Sequence, residues 1–189
     1  MAKFKDRRSS PKAGKVQDVP ADRPKAAALR DSAGFHTMDV MKEFIQYDLD
    51  GGAQTEWNER FVMPLCLAVV SVDNLKKVSA NAGKISEAIG KLTRRADRTA
   101  RSGDDYVILL RRTLAKRAND SYVPNLRKAI KEACATGPEP QVTIGIASLT
   151  EHMITGAEDM VKKALAARDY ARKQGTDQTS VYDFRIMPY

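Results

Sequence analysis

The sequence is poor in the residues that build disulfide frameworks and most metal centres. It has two cysteines, Cys66 and Cys134, and two histidines, His36 and His152. The cysteines lack the spacing of a disulfide framework or of metal ligands. The histidines are far apart, without a cysteine or aspartate at ligand spacing, and fit surface or capping positions. We therefore predict buried, reduced thiols, no metal centre and no resident cofactor.

Long apolar runs are also missing. No run approaches the roughly eighteen residues of a membrane-spanning helix, and residues 1–15 lack the apolar core of a secretion signal. These absences predict a soluble, cytoplasmic protein without membrane insertion. With 189 residues and 42% hydrophobic content, the chain is long enough for one well-buried domain plus a tail.

Positive charge exceeds negative charge, and part of the excess lies at the N-terminus. The formal net charge is +8, and residues 1–34 carry nine lysines and arginines against four aspartates, with three prolines. This composition predicts a disordered basic tail over 1–34. Such a tail can contact nucleic acid through counterion release. The absence of an aromatic pattern among its charges favours a solvated tail instead.

Helical periodicity begins after the tail. Residues 36–48 place apolar side chains on one helical face, and a second short helix is predicted at about 55–62, with Trp57 facing the core. We therefore assign residues 35–63 to a helical N-terminal extension. The folded domain is assigned to residues 64–189.

The domain alternates between strand patterns and helix patterns. The order is βαββαβ followed by a final helix and strand, which predicts an α/β (α+β palm-like) fold with a mostly antiparallel sheet and helices on one face. Pro124 should kink the second helical region or restart it. The predicted strands are 65–72, 97–101, 106–110, 141–149 and 179–184, and the predicted helical regions are 74–96, 113–135 and 156–174.

A hairpin at residues 101–110 is the main candidate for chemistry. Gly103 precedes Asp104 and Asp105, and a wholly apolar stretch follows them, which is a hairpin pattern. Two carboxylates at a hairpin tip, facing a third from another strand, can hold Mg²⁺ against a triphosphate. For an isolated Gly-Asp-Asp, a solvated acidic turn is the alternative.

Four segments between residues 65 and 184 fit the pattern of one family in order and spacing. They are 67–84 (LAVVSVDNLKKVSANAGK), 97–101 (DRTAR), the hairpin Ser102, Gly103, Asp104, Asp105 and Tyr106, and 142–148 (VTIGIAS). Together they resemble the GGDEF domain of diguanylate cyclases: its first strand with the Asp-x-Asp-x-Phe-Lys segment, its Asp-x-Val-Ala-Arg lead-in, its signature in degenerate form, and a later strand. The resemblance implies a nucleotide-cyclase-like palm fold.

The chain departs from the family where the family binds metal. The first Asp of Asp-x-Asp is a metal ligand in the family, and here that position is Ser71, whose hydroxyl is too weak to replace a carboxylate. The second Asp is present as Asp73. Because strand side chains alternate with period two, the Asp73 side chain can point to the same side as that of Ser71 if the strand extends that far. In the signature, Ser102 replaces the first glycine, Asp105 replaces the glutamate, and one residue before the turn is deleted, which shifts the register.

The positions that serve guanine and phosphate in the family are also changed. The Asn that reads guanine corresponds to Ser79, the following Asp corresponds to Ala80, and the segment before Arg101 is shorter than the family pattern. The phosphate-contacting Lys and Arg correspond to Arg172 and Thr176. Together these changes predict the loss of diguanylate cyclase activity, because two-metal phosphoryl transfer depends on ligand count and geometry.

One family feature persists. Residues 94–97 (RRAD) fit Arg-x-x-Asp, the inhibitory site through which many GGDEF domains bind cyclic di-GMP. An arginine can pair with a phosphate or a guanine edge, and an aspartate can accept from guanine N1 and N2. A solvated helix end is the alternative. The predicted site residues are Arg94, Asp97, Arg98, Arg101 and Arg127, and Asn125 lies near the position of the family's second arginine.

These observations predict a catalytically inactive, GGDEF-like bacterial signalling protein. Its expected ligand is cyclic di-GMP, its expected partner is a protein of a signalling or localisation complex, and a homodimer is possible. Two alternatives stay open. One is a pure protein-interaction module without nucleotide binding. The other is a divergent nucleotide cyclase or palm polymerase that uses Asp104 and Asp105.

Overall fold

The computed structural model describes residues 30–51 and 63–187, which form a five-stranded sheet with six α-helices. The strand order is β2-β3-β1-β4-β5. All neighbours are antiparallel except β4 and β5, which are parallel. The predicted palm-like order is confirmed. The strands are β1 (Leu65–Val72), β2 (Arg98–Ser102), β3 (Asp105–Arg111), β4 (Val142–Ser148) and β5 (Thr179–Val181).

The helices cover both faces of the sheet. Alternate residues of β1 enter two different cores, because successive side chains of a strand point to opposite faces: one core includes Cys66 and Val70, and the other includes Leu67 and Val69. The predicted placement of helices on one face is therefore wrong. The helices are α1 (Met38–Leu49), α2 (Leu75–Val78), α3 (Ala82–Leu92), α4 (Ala115–Arg117), α5 (Val123–Ala133) and α6 (Ala157–Gln174).

The two cores belong to different helix pairs. Side chains of α3 and α5 pack against one face of the sheet, and side chains of α1 and α6 pack against the other. This arrangement explains the uninterrupted apolar run of β1, since a strand covered on both faces has no solvent side. Side chains of α1 thus contribute to one of the two cores.

Both interior helical regions are interrupted. The first is broken by a 3₁₀ turn at Ser79–Asn81, before α3 begins. The second contains a π-helical turn at Ala118–Tyr122, and α5 then starts with Pro124 in its first turn. Proline is tolerated there because the first amides of a helix have no intrahelical acceptor. The predicted restart at this proline is confirmed.

The described N-terminal residues are tied to the sheet. The Asp31 carboxylate accepts hydrogen bonds from the amides of Ala33 and Phe35, and Phe35 is buried against Tyr106. His36 donates its amide to the Thr99 carbonyl and accepts from the Arg101 amide. Residues 30–36 thus cover the outer edge of β2. The remainder of the predicted tail and the predicted helix at 55–62, with Trp57, lie outside the described residues.

A buried ion pair joins α1 to the end of β3. Arg111 donates to both carboxylate oxygens of Asp48, at 2.6 and 2.8 Å. Burial raises the pKa of Asp48, while the adjacent guanidinium opposes that shift. Both cysteines are buried and unpaired, and burial raises the pKa of Cys66 to about 12. Among the described helices, none is long and apolar enough to cross a membrane.

Gly145 in β4 determines how closely α6 approaches the sheet. A Cβ atom at this position would lie 2.2 Å from both the Ala164 carbonyl oxygen and the Arg168 amide nitrogen. Those are backbone atoms of α6, so no side-chain rotation can relieve the overlap. Only glycine permits the observed packing of α6 on β4.

We expect Gly145→Ala to lower the free energy of unfolding by about 3 kcal/mol, because α6 must move away from the sheet. Urea denaturation followed by circular dichroism measures the change. Gly90→Ala is the matched control. Gly90 is inside α3 with nothing within 4 Å of an added Cβ, so that variant should gain up to about 1 kcal/mol. Equal stability of the Gly145→Ala variant and the parent would contradict the packing account.

Candidate functional site

The signature hairpin forms as predicted. β2 and β3 pair with Ser102 opposite Asp105, and Gly103 has a φ of 60°, a conformation that glycine adopts without strain. Asp104 is exposed at the tip. Asp105 is the first residue of β3 and lies on the same face as Val107, so its side chain points toward α6.

The Asp105 carboxylate is bound by two protein groups. The Ser71 hydroxyl donates to Asp105 Oδ1, and the Arg168 guanidinium donates to Asp105 Oδ2. Arg168 comes from α6, directly over the sheet, and its side chain is only 13% exposed. In the family that the sequence resembles, the position of Ser71 carries a metal ligand. Here Ser71 instead binds the Asp105 side chain of the same protein.

The Asp73 carboxylate, like that of Asp105, is bound by two protein groups. The Thr143 hydroxyl donates to Asp73 Oδ2, and Arg172 Nε donates to Asp73 Oδ1 at 2.9 Å. Asp169 accepts from Arg168 at 2.6 Å and lies 3.9 Å from Arg172. We call Ser71, Asp73, Asp105, Arg168 and Arg172 the α6 cluster. Its two arginines and two aspartates, joined through Asp169, place opposite charges between the sheet and α6.

The α6 cluster does not suit a divalent cation. Mg²⁺ takes oxygen ligands with near-octahedral geometry, whereas here both oxygens of Asp105 accept hydrogen bonds from protein groups. A guanidinium in contact with the carboxylate also repels a cation at that point. Within the described part of the chain, no group of three His, Cys, Asp or Glu side chains is placed to hold a metal ion.

The structure gives Asp97 a role in the fold. Its side chain is buried, with 4% exposure. Oδ2 accepts from the Arg94 amide at 3.2 Å, and Oδ1 accepts from the Arg111 amide at 3.0 Å. Asp97 thus joins the loop before β2 to the end of β3. Both of its oxygens are turned to backbone amides, so a ligand can reach them only if these bonds break.

The other predicted ligand-binding arginines do not converge on one site. Arg98 donates to the carbonyls of Arg95 and Asp97. Arg101 lies over the Tyr106 ring at 5.0 Å, on the opposite face of β2. Arg127 donates to the Val142 carbonyl and the Thr179 hydroxyl, near β4 and β5. The strand order puts β2 and β5 at opposite edges of the sheet.

Arg94 remains exposed and lines a pocket of about 310 Å³. The Tyr122 hydroxyl in its wall is buried and forms no hydrogen bond of good geometry. Thr93 is a polar neighbour of this hydroxyl, and its own hydroxyl donates to the Ile89 carbonyl. Burial raises the pKa of Tyr122 to about 12, so the hydroxyl keeps its proton. The pocket is lined by Leu92, Arg94, Leu110, Thr113, Arg117, Ser121, Tyr122 and Asn125.

Two arginines of these sites were missed by sequence reasoning. Arg168 is one helical turn before Arg172 on α6, so the i,i+4 spacing was an available signal. Its partner Asp105 is 63 residues away, however, and local spacing does not identify such a contact. Arg117 belongs to α4 and meets Arg94 only because the loops before β2 and after β3 lie side by side.

Compared by sequence, the chain matches no family model and no curated protein. Compared by structure, it is similar to several solved GGDEF domains. The GGDEF domain of YfiN (TpbB) from Pseudomonas aeruginosa is 19% identical, with a TM-score of 0.63, and the match covers 82% of this chain and 95% of that one.

Two further neighbours were solved as complexes. The GGDEF domain of DgcB from Caulobacter crescentus, solved with c-di-GMP, is 15% identical with a TM-score of 0.65, and the match covers 82% of this chain and 95% of that one. The diguanylate cyclase SiaD from Pseudomonas aeruginosa, solved with its activator SiaC, is 20% identical with a TM-score of 0.64, covering 83% of this chain and 63% of that one. These likenesses show that the chain has the fold of GGDEF domains.

Proposed function

We propose that the chain is a catalytically inactive, GGDEF-like signalling protein of the bacterial cytoplasm. The observation that carries this proposal is the contact of Asp105 with Ser71 and Arg168. Two-metal phosphoryl transfer needs carboxylates that are available to cations. Here an arginine supplies the positive charge that neutralises Asp105, and Arg172 does the same for Asp73.

The alternative of a divergent cyclase or palm polymerase would depend on Asp104 and Asp105. Asp104 is exposed at the hairpin tip, and Asp105 is held by the α6 cluster. For both to hold a metal, Arg168 would have to leave the interface between α6 and the sheet. Because of this requirement, the hypothesis of a non-catalytic protein is better supported than that of a cyclase or polymerase.

As the ligand of this protein we propose cyclic di-GMP, bound in the pocket beside Arg94. Support comes from the two exposed arginines, Arg94 and Arg117, and from the buried Tyr122 hydroxyl, which forms no hydrogen bond of good geometry. Guanidinium groups bind phosphates strongly, often through two parallel hydrogen bonds. The DgcB domain with the same fold was solved with c-di-GMP. The positions of Arg98, Arg101 and Arg127 favour roles in the fold over direct ligand contact.

A second candidate function is contact with a protein partner without nucleotide binding. Met153 is 88% exposed and Phe184 is 73% exposed, and both border a cavity of about 600 Å³. Large apolar side chains exposed next to a cavity are typical of protein contact sites. The SiaD structure, with its bound activator, shows a neighbour of this fold in a protein complex.

A double-mutant cycle tests the α6 cluster. We expect Arg168→Leu to lower the free energy of unfolding by about 2 kcal/mol, because it leaves the Asp105 charge without its main partner. Arg168→Leu combined with Asp105→Asn should lose less than the sum of the two single variants. Urea denaturation measures all four proteins. Additive losses would show that the two side chains do not interact.

Isothermal titration calorimetry with cyclic di-GMP tests the ligand. We expect saturable binding by the full chain. Arg94→Ala should weaken binding at least tenfold, a loss of about 1.4 kcal/mol or more, because a charge-assisted bond to phosphate is removed.

Arg95→Ala is the matched control for this titration, because Arg95 is adjacent and exposed but does not line the pocket. Its affinity should stay close to that of the parent. Asp97→Ala is less informative, since it removes two bonds to backbone amides. The absence of any heat with cyclic di-GMP would reject the ligand and favour the protein-contact alternative.

A further inference from the structure

Seven lysines and arginines of the folded part lie in two short segments. Residues 94–98 contain three arginines, and residues 111–117 contain three arginines and one lysine. The only acidic residue in either segment is Asp97. Asp97 binds backbone amides on both sides, and Arg111 Nη1 donates to the Ala96 carbonyl at 3.1 Å. The two segments are therefore fixed against each other.

Five cations of these segments are exposed and form what we call the arginine face. Among residues 30–51 and 63–187, none of the five forms an ion pair with a carboxylate. Asp97 is buried and Asp48 is paired with Arg111, and the exposed Asp120, three residues after Arg117, accepts from the Asn119 side chain. The members of the arginine face are Arg94, Arg95, Arg112, Lys116 and Arg117.

The surroundings increase the positive potential. Arg98 lies between the arginine face and α1, with its guanidinium over the Phe44 ring. The pKa of His36 is lowered by burial and also by the nearby charges of Arg30 and Arg98. A cluster of like charges without partners destabilises the folded state by self-repulsion. A polyanion would offset this repulsion.

A cavity next to the arginine face indicates which kind of polyanion would bind there. The pocket of about 310 Å³ opens beside Arg94 and Arg117 and has an apolar wall of Leu92 and Leu110. Asn125 and the Tyr122 hydroxyl supply polar groups. Unpaired bases of single strands enter pockets of this kind, whereas paired bases do not. An acidic peptide or a lipid surface offers the negative charges but no planar base for the cavity.

We propose that the arginine face binds single-stranded nucleic acid, with phosphates on the arginines and one unpaired base in the adjoining cavity. Four of the five cations are arginines, whose forked guanidinium groups match phosphate oxygens. Nucleic-acid binding here does not depend on the proposed cyclic di-GMP function. Because both ligands would use Arg94, they should compete.

Fluorescence anisotropy with a labelled oligouridine tests the proposal on the full chain. If about four phosphates are neutralised, raising the salt from about 50 to 200 mM should weaken binding about 50-fold, since single strands lose about 0.7 counterions per contact. The double variant Arg95→Glu, Arg112→Glu should bind at least tenfold more weakly. Both residues lie outside the pocket wall, so the cyclic di-GMP site keeps its side chains.

Lys162→Glu combined with Lys173→Glu is the control, because it changes the net charge equally at exposed positions of α6. Its affinity for the oligouridine should match the parent. An equal loss in both double variants would overturn the proposal by showing that only net charge matters. It would also be overturned by the absence of saturable binding, by duplex binding as tight as single-strand binding, or by binding to anionic phospholipid vesicles alone.

Discussion

The close contact of α6 with β4 at Gly145 is the constraint on which the charged side chains of the α6 cluster depend. Because the helix backbone lies within reach of the strand backbone, Arg168 and Arg172 are placed directly over the ends of β1 and β3. There they meet Asp105 and Asp73, whose other oxygens accept from Ser71 and Thr143. A larger residue at 145 would move the helix and with it both guanidinium groups.

The second charged region is organised by Asp97 in a comparable way. An acid that the sequence pattern associates with a ligand instead binds the amides of Arg94 and Arg111. Its carboxylate holds two arginine-bearing segments together, and the side chains of the arginine face are exposed. In both regions, acidic residues at positions associated with ligands serve the fold. The cations stay exposed in the arginine face, whereas Arg168 is largely buried in the α6 cluster.

Local patterns were sufficient for most of the fold. The apolar run of β1 and the Gly103 turn each act within a few residues, and the structure has these elements near the predicted bounds. The apolar run of β1 was also a signal that helices cover both faces, because a strand with one solvent face alternates apolar and polar side chains. The prediction of helices on one face did not use that signal. Which helices pack on which face depends on contacts between residues far apart in the chain.

The sites were predictable only in part. Ser71, Asp105 and Asp73 were recognised from their positions in a motif, but the residues that bind them come from α6 and β4, far along the chain. The orientation of Asp97 was inaccessible for the same reason, since the Arg111 amide lies 14 residues away. Such contacts depend on tertiary packing. The close approach of α6 to β4 that positions them has only one signal in the sequence, the glycine at position 145.

We propose that Arg168 and Arg172 neutralise Asp105 and Asp73 in place of metal ions, so that the chain does not catalyse cyclisation. Chromatographic analysis of the products, after incubation of the full chain with GTP and Mg²⁺ or Mn²⁺, tests this proposal. We expect GTP to remain and no cyclic product to form. Formation of a cyclic dinucleotide that disappears in the Asp104→Asn variant would contradict it.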